Sequence, residues 1–451
     1  MASACCAGSA ASSGIDRDGK FRRLGKCGHR AHPGAAFAVA LVVMLAGCGS
    51  GPVDSSSTGP RQSSAPASSA PGQRLPGMPL DPVSPASAGT PSWSPWPTAL
   101  HDARHSGASS DDGPVNGTVR WRRRLEGPVT PGPVLARDGT IYVASNAGVL
   151  HALDPATGAD RWTVDAGTSA TGSDLSTSAL VLPDGTVVWG PPGSPRLLGI
   201  SPTGVRLWSV ALPGRPTSPT TVDGRRIYVG DTGGGVTAMD VSSSGGDPPR
   251  QAWTTRVGTT SYGSIVTDGS GRIYTTADSA LIALDDLGTS VREAWRANPD
   301  DNITEVSAGL APDGTVLLGT NGNREWAYRP DGSLRWTFPR IITYSSPSVT
   351  SDGLAYVADH SGRVHVLRVS DGTEAAAYQD EPPAQIWSAV AVDRGHRIYF
   401  GTQDGQLLGV APDGSVLFDV TLGGPVDSYP ALTADGTVVI GDRSGEVVAV
   451  G

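Results

Sequence analysis

Beyond Cys48 the chain contains no cysteine, and beyond Lys26 no lysine, in a sequence of 451 residues. The first absence excludes disulfides and thiolate metal sites from everything downstream, because Cys5, Cys6, Cys27 and Cys48 are the only thiols. The second leaves arginine as the only strong base there. Residues 48–451 carry 28 arginines against 41 Asp and Glu, a formal net charge of −13. Binding to nucleic acid rests on neutralising phosphates with basic side chains, so a chain this acidic is not expected to take a nucleic-acid partner. Long apolar runs are also scarce. The longest, Ala35–Ala46, has twelve residues, too few to cross about 30 Å of hydrocarbon as a helix. No stretch carries a sustained 3.6-residue apolar period, so helices are not expected, and Gly (60) and Pro (37) make the chain dense in turns.

What is present begins with an export signal. Arg22, Arg23, Lys26 and Arg30 precede the apolar run, and Gly47-Cys48 follows it, the order of n-region, h-region and small-residue cleavage site in a secretory signal. Leu45-Ala46-Gly47-Cys48 resembles the lipobox of bacterial lipoproteins. That resemblance implies cleavage before Cys48, lipidation of its thiol and acylation such as palmitate, which together anchor a protein stably to a membrane. An ordinary cleaved signal peptide or an uncleaved anchor are the alternatives, and Arg22-Arg23 raises twin-arginine export. Residues 49–90 are mostly Ser, Pro, Gly and Ala, too poor in bulky apolar groups to offset chain entropy. The expected organisation is a lipoprotein signal peptide over 1–47, a Ser/Pro-rich disordered tether over 48–92, and one folded domain over 93–451.

Within that domain the sequence repeats. Trp121, Trp162, Trp208, Trp253, Trp295 and Trp336 recur at spacings of 41, 46, 45, 42 and 41, and the frame continues through Ala376 to Phe418. A period of about 40 to 46 residues is that of a four-stranded propeller blade. Each period contains a hairpin dipeptide such as Asp138-Gly139, Asp184-Gly185, Asp313-Gly314, Arg394-Gly395 or Asp435-Gly436, then a β-branched and aromatic strand such as Ile141-Tyr142-Val143 or Ile398-Tyr399-Phe400. Two further turns follow, as at Asn146–Gly148 and Thr157-Gly158. Three turns per period mean four strands, and eight periods predict an all-β, eight-bladed β-propeller with four antiparallel strands per blade. The eighth period ends after a third strand at Val450, while Thr118–Arg124 reads as a fourth strand without its first three. Pairing the two closes the ring by an N-terminal strand and removes its open edge.

Ala152-Leu153-Asp154-Pro155-Ala156-Thr157-Gly158-Ala159-Asp160-Arg161-Trp162 resembles the tryptophan-docking motif of quinoprotein-type, PQQ-like propeller repeats, with looser copies at 238–253, 283–295 and 327–336. The segment from Trp96-Pro97 through His101–Gly107 is similar to the lead-in of such arrays. Over 93–451 the chain is identified as a member of that repeat family and resembles its BamB-like lipoproteins. The resemblance implies that Trp121, Trp162, Trp208, Trp253, Trp295 and Trp336 wedge neighbouring blades apart as buried core. Ala376 breaks the pattern, so the seam between blades six and seven is expected to be the weakest.

The same resemblance raises a quinone- and calcium-dependent dehydrogenase. Such enzymes use a vicinal cysteine pair, carboxylate and amide calcium ligands and an aspartate base. No cysteine pair lies beyond Cys48, no nucleophile elbow or phosphate loop occurs, and the histidines (His101, His105, His151, His360, His365 and His396) are too scattered for a metal site and read as surface or strand residues. The expectation is a non-enzyme with no catalytic residue, cofactor or metal. The innermost strands lead from one mouth of the channel, which Ser176, Tyr262, Glu305, Tyr344, Trp387, Asp427 and Tyr429 are expected to line as a candidate ligand site. Ordinary filling of the funnel is the plainer reading. The functional expectation is a lipid-anchored binding or scaffold protein of the cell envelope, on the extracytoplasmic face, presenting a propeller surface to a protein partner. The alternatives are a small-ligand or glycan sensor using the mouth, and the quinone enzyme.

Overall fold

Tight hairpins need residues at positive φ, and the repeated dipeptides supply them: Gly139, Gly185, Gly314, Gly353 and Gly436 sit at φ between +79° and +85°. In the seventh repeat the left-handed position falls on His396 (φ +60°) and not on Gly395, which corrects the expected Arg394-Gly395 turn by one residue. The computed structural model describes residues 92–451 apart from 171–176, 243–245, 262 and 304–305. The expected lipidation site Cys48, the mouth candidates Ser176, Tyr262 and Glu305, the 1–47 signal and most of the 48–92 tether lie outside the described residues.

Eight antiparallel sheets follow one another along the chain. Blade 1 shows the pattern, with a short inner strand at Val134–Leu135, then Ile141–Ala144, Val149–Leu153 and the outer strand Asp160–Asp165. In blade 3 the inner position is held by single bridges, Pro216 to Asp231 and Thr220 to Tyr228. Blade 8 joins Ala431–Leu432, Val438–Gly441 and Glu446–Val450 to the N-terminal strand Val119–Arg124. Trp121 faces Ala449 and Arg124 faces Glu446 in that pairing, and Gly451 N–H donates to the Thr118 carbonyl at 2.9 Å. The chain is therefore an eight-bladed propeller closed by its N-terminal strand.

Most of the buried core lies between blades. One cluster joins Tyr142 and Ala152 of blade 1 to Val187, Trp189 and Leu198 of blade 2, and another joins Leu317 and Trp336 of blade 5 to Val357 and Leu367 of blade 6. The tryptophans lie at these seams, Trp121, Trp208, Trp253 and Trp336 buried and Trp162 and Trp295 half-buried. Trp121 Nε1 donates to the Pro155 carbonyl of the next blade, Trp162 to Pro202, Trp295 to Pro330 and Trp336 to Val369, each at 2.8 Å. Trp253 uses the Asp286 carboxylate instead, also at 2.8 Å. Beneath four of these indoles lies a turn glycine whose added Cβ would come within 2.5 to 2.8 Å of the ring: Gly158, Gly204, Gly332 and Gly372. A side chain there would expel the wedge. The indole also needs room within its own blade. Its cross-strand neighbour is Ala152, Gly199, Ala238, Ala283, Ala327 or Ala449, and a β-bulge follows immediately after the first five of these.

The lead-in, unlike the repeats, follows a path that no periodicity announced. Its carbonyls accept from the inner strands of successive blades: Trp96 from Leu135, Pro97 from Val181, Ala103 from Thr267, Arg104 from Leu310, Ser106 from Val349 and Gly107 from Val392, all at 2.8 to 2.9 Å. Thr98 Oγ1 donates to the Pro219 carbonyl of blade 3 at 2.9 Å. The segment thus circles inside the ring and satisfies the free edge of one inner strand after another. It closes the channel at the end where the first hairpin turns lie.

Candidate functional site

The opposite end of the channel is built by one hydrogen bond repeated around the ring. In seven of the eight blades the second residue of the second turn donates its N–H to the loop that enters the same blade: Asn146 to Pro128, Thr232 to Arg215, Asp278 to Thr260, Asn321 to Asn302, His360 to Ile342, Gln403 to Gln385 and Arg443 to Pro425, at 2.8 to 3.1 Å. In three of the blades this staple brings the turn residue near the residue two positions further along the entering loop. In blades 6 to 8 the pairs are His360 with Tyr344, Gln403 with Trp387, and Arg443 with Asp427.

These pairs merge into one patch. The Tyr344 ring stands edge-on to Trp387 at 5.2 Å between centroids, and His360 lies 4.7 Å from Tyr344 and 5.8 Å from Trp387. The Arg443 guanidinium sits over the Trp387 ring at 5.1 Å. Arg443 Nε donates to Asp427 Oδ2 at 2.5 Å, Gln403 Nε2 donates to Asp427 Oδ1 at 2.9 Å, and Trp387 Nε1 donates to Gln385 Oε1 at 3.2 Å. Burial lowers the pKa of His360 below its ordinary value, only partly opposed by the neighbouring Asp359, so the imidazole in this patch is neutral at neutral pH. Arg443 is exposed and the three rings half-buried. The patch therefore presents aromatic faces and one cation to the solvent.

Of the residues expected at the mouth, Tyr344, Trp387 and Asp427 come together here. Tyr429 sits one step deeper, against Gly132, where an added Cβ would meet the Tyr429 carbonyl at 3.0 Å. His360, Gln403 and Arg443 were missed. Their signal was positional, since each stands two residues before a turn glycine (His360-Ser361-Gly362, Gln403-Asp404-Gly405, Arg443-Ser444-Gly445) in equivalent repeats.

Five of the six histidines are buried and not at the surface, and His151 and His365 lie in strands, one of the two placements read from the sequence. His151 bridges Asp160 (Nδ1, 2.8 Å) and Glu126 (Nε2, 3.1 Å). His365 bridges Glu374 (Nδ1, 2.7 Å) and Asp359 (Nε2, 3.3 Å) at the matching strand position of blade 6. In the lead-in, Asp102 Oδ1 accepts from Arg104 N and Ser106 N at 2.9 and 3.1 Å, Oδ2 accepts from Ser106 Oγ at 2.8 Å, and His101 Nδ1 lies 2.9 Å from the same hydroxyl. All are buried inside the ring. Because Asp102 is spent on backbone amides and the serine, this trio serves to fold the lead-in. Among the described residues, no three His, Cys, Asp or Glu side chains lie close enough to hold a metal ion.

The family model described as outer membrane protein assembly factor BamB matches residues 111–244 and 196–410. Protein Rv3035 of Mycobacterium tuberculosis is 22% identical over 379 residues, which cover 76% of this chain and 89% of the relative. Among solved structures, BamB from Moraxella catarrhalis superposes with a TM-score of 0.57 at 13% identity, over 74% of this chain and 99% of that one. The quinohemoprotein alcohol dehydrogenase from Comamonas testosteroni superposes with a TM-score of 0.61 at 16% identity, over 78% and 80%. At such identities both structures share the fold, and neither passes on a chemistry. With the docking tryptophans, the closed eighth blade and a family match over most of its length, the chain belongs to the PQQ-like propeller family whose model bears the description outer membrane protein assembly factor BamB.

Proposed function

We propose that the chain is a non-enzymatic binding or scaffold protein of the cell envelope, lipid-anchored through Cys48 on the extracytoplasmic face of a membrane, which offers its mouth patch to a protein partner. The observation that carries this reading is the composition of the patch. Trp387, Tyr344 and Arg443 are the residue types that dominate binding energy at protein interfaces, and here they are stapled in place before any partner arrives. The family's description as an assembly factor supports a role in holding other proteins, and its link to the outer membrane supports an envelope location.

A calcium-held quinone fits these residues poorly. The carboxylate of the patch, Asp427, is already engaged by Arg443 and Gln403, and no cysteine lies beyond Cys48. A small-ligand or glycan reading has one observation in its favour, the aromatic faces of Trp387 and Tyr344 beside polar groups, on which a sugar ring could stack.

Photo-crosslinking in the native membrane, from probes placed around the mouth, tests the proposal. A discrete protein adduct that is lost on Trp387→Ala is the expected result, with truncation of such an anchor costing about 2 kcal/mol or more of affinity. Absence of any protein adduct, with saccharide binding retained, overturns it in favour of the sensor. Spectral titration with calcium and the quinone, followed by an alcohol oxidation assay, would reveal an enzyme.

A further inference from the structure

The seam between blades 6 and 7 keeps the receiving turn of a tryptophan-docking site without the tryptophan. The receiving turn Ala411-Pro412-Asp413-Gly414 has the same Pro-Asp-Gly as Arg329-Pro330-Asp331-Gly332, where the Trp295 indole is seated. Gly414 is at φ +80°, like Gly332 at +86° and Gly372 at +74°. Those two glycines lie directly beneath an indole, whereas nothing comes within 4 Å of a Cβ built on Gly414. The Pro412 carbonyl corresponds to the three proline carbonyls that accept indole N–H groups elsewhere in the ring, and here Ala376 sends it none.

Over Ala376 lies a cleft of about 40 Å³, open to solvent and lined by Tyr356, Ala376, Tyr378, His396, Ile398 and Gly414 among others. Two residues, Val366 and Tyr356, depart from the arrangement at the other seams, and the cleft remains. Opposite Ala376 stands Val366, where the docking tryptophans of the other blades face Ala or Gly. Tyr142, Tyr228 and Tyr274 pack against their own blade's tryptophan at 5.6 to 6.3 Å. Tyr356, at the same strand position, instead stacks on His396 and hydrogen-bonds its Nδ1 at 2.7 Å. The floor of the cleft is thus ordered, apolar and partly aromatic. The outer strand that borders it, Glu374–Gln379, carries Ala375-Ala376-Ala377 and no arginine, so it lacks the basic side chains that guard most of the other outer edges.

We propose that this seam is a receptor for a tryptophan side chain of a partner polypeptide, whose indole enters over Ala376 and whose Nε1–H donates to the Pro412 carbonyl. The template is internal, because this protein seats its own indoles on the same turn at other seams. A polypeptide source follows from the bare alanine edge beside the cleft, along which an extended segment can lie and pair. This identification of the partner's chemistry rests on the binding-protein reading above, but on a different part of the ring from the mouth.

The test follows the alanine-methyl NMR signals of the full chain during titration with the capped tripeptide Gly-Trp-Gly. Shifts confined to Ala375–Ala377 and Ala411, absent with capped Gly-Ala-Gly, are expected. Ala376→Leu, which occupies the cleft, should weaken binding at least tenfold. Val366→Ala with Ala376→Trp, which supplies the protein's own wedge, should do the same and serves where the leucine variant fails to fold. Undiminished binding in both variants, or shifts spread over all eight seams, overturns the proposal. Free indole binding as tightly as the tripeptide overturns the polypeptide source. Because Ala376→Leu leaves the mouth untouched, loss of tripeptide binding with retention of the mouth crosslink separates this seam from the wider reading.

Discussion

Gly372 and Gly414 occupy the same turn in successive blades at φ +74° and +80°, and replacing each with alanine measures what an indole is worth to this ring. An alanine forced into the left-handed region costs about 1 to 2 kcal/mol. At Gly414 that is the whole cost, since the new methyl meets nothing within 4 Å. At Gly372 the methyl would lie 2.6 Å from Trp336 Cδ2 and 2.8 Å from Cε3. Carbon atoms settle about 3.5 to 4.0 Å apart, so the indole must retreat by roughly 1 Å. That motion stretches the Trp336 Nε1 bond to the Val369 carbonyl, now 2.8 Å, and unpacks the face held against blade 6. Full loss of a buried tryptophan costs about 3 to 5 kcal/mol, and half of that makes the Gly372→Ala penalty exceed the Gly414→Ala penalty by about 2 kcal/mol. For a ring of roughly 360 residues, an unfolding entropy of about 2.1 cal/mol/K per residue translates the difference into about 3 °C in melting temperature. Scanning calorimetry reads it directly. The stronger arm places Gly414→Ala in the Val366→Ala, Ala376→Trp background, where an indole now sits above the turn. There the two changes should couple unfavourably by about 1 to 3 kcal/mol. Equal melting shifts for the two glycines, or strict additivity in the rebuilt seam, would refute the idea that the turn glycine exists to admit the wedge.

Further expectations rest on single residues. Trp121→Ala removes the wedge between the closing strand and blade 1, costs about 3 to 5 kcal/mol, and should raise amide exchange in the closing strand Val119–Arg124 before the outer strands of the other blades. Burial holds the imidazole of His105 at a pKa of about 4, its ring nitrogens having no hydrogen-bond partner although Asp102 and the Ala308 carbonyl favour its charged form slightly. The unfolded chain takes up a proton from about pH 6.5 downward and the folded chain does not until about 4. Stability is therefore lost as pH falls through that window, by on the order of 3 kcal/mol. His105→Asn, a residue type tolerated at φ +55°, should flatten this part of a pH–denaturation profile. Glu325 is fully buried with neither carboxylate oxygen hydrogen-bonded, and burial raises its pKa well above 4.5. The unfolded chain releases that proton first, so its contribution is lost as pH rises past 4.5. Glu325→Met should accordingly raise the melting temperature at pH 7, with the gain shrinking toward pH 4.5, and a pH-independent gain would point to packing alone.

The blade count and the closure were legible because they are written in punctuation. A hairpin needs positive φ at a fixed place and a docking site needs an indole at a fixed distance, so both leave a residue at every repeat. The break at Ala376 was visible for the same reason. Its compensation was not, since Val366 and Tyr356 carry meaning only once the register places Val366 opposite Ala376 and His396 beside Tyr356. The lead-in was opaque because it makes its hydrogen bonds with carbonyls, and carbonyls have no sequence. His151 and His365 are strand residues, as the sequence allowed, but their carboxylate partners were not legible because they lie across strands and loops, at separations that no local motif records. At the mouth, Tyr344, Trp387 and Asp427 were found by their place in the frame. Their partners His360 and Arg443 were overlooked because a turn residue reads as a turn residue until a staple to the neighbouring loop gives it a direction.

The lead-in decides which end of the channel can bind anything. Its carbonyls cap inner strands in six of the blades, and an inner-strand amide left bare inside the ring would cost about 1 to 3 kcal/mol. Withdrawing the segment to admit a ligand would expose several of these together, along with the buried Trp96, Asp102 and His105. That sum approaches the stability of an ordinary domain, so this end does not open while the ring stays folded. The described chain also enters the ring at the closed end, where Ser92 and Ser94 lie beside Arg137 of a first hairpin turn. The mouth therefore lies at the opposite end of the ring from the point where residue 92 joins it. A scaffold that must meet its partner on one defined face needs that polarity, and a tunnel open at both ends would not provide it.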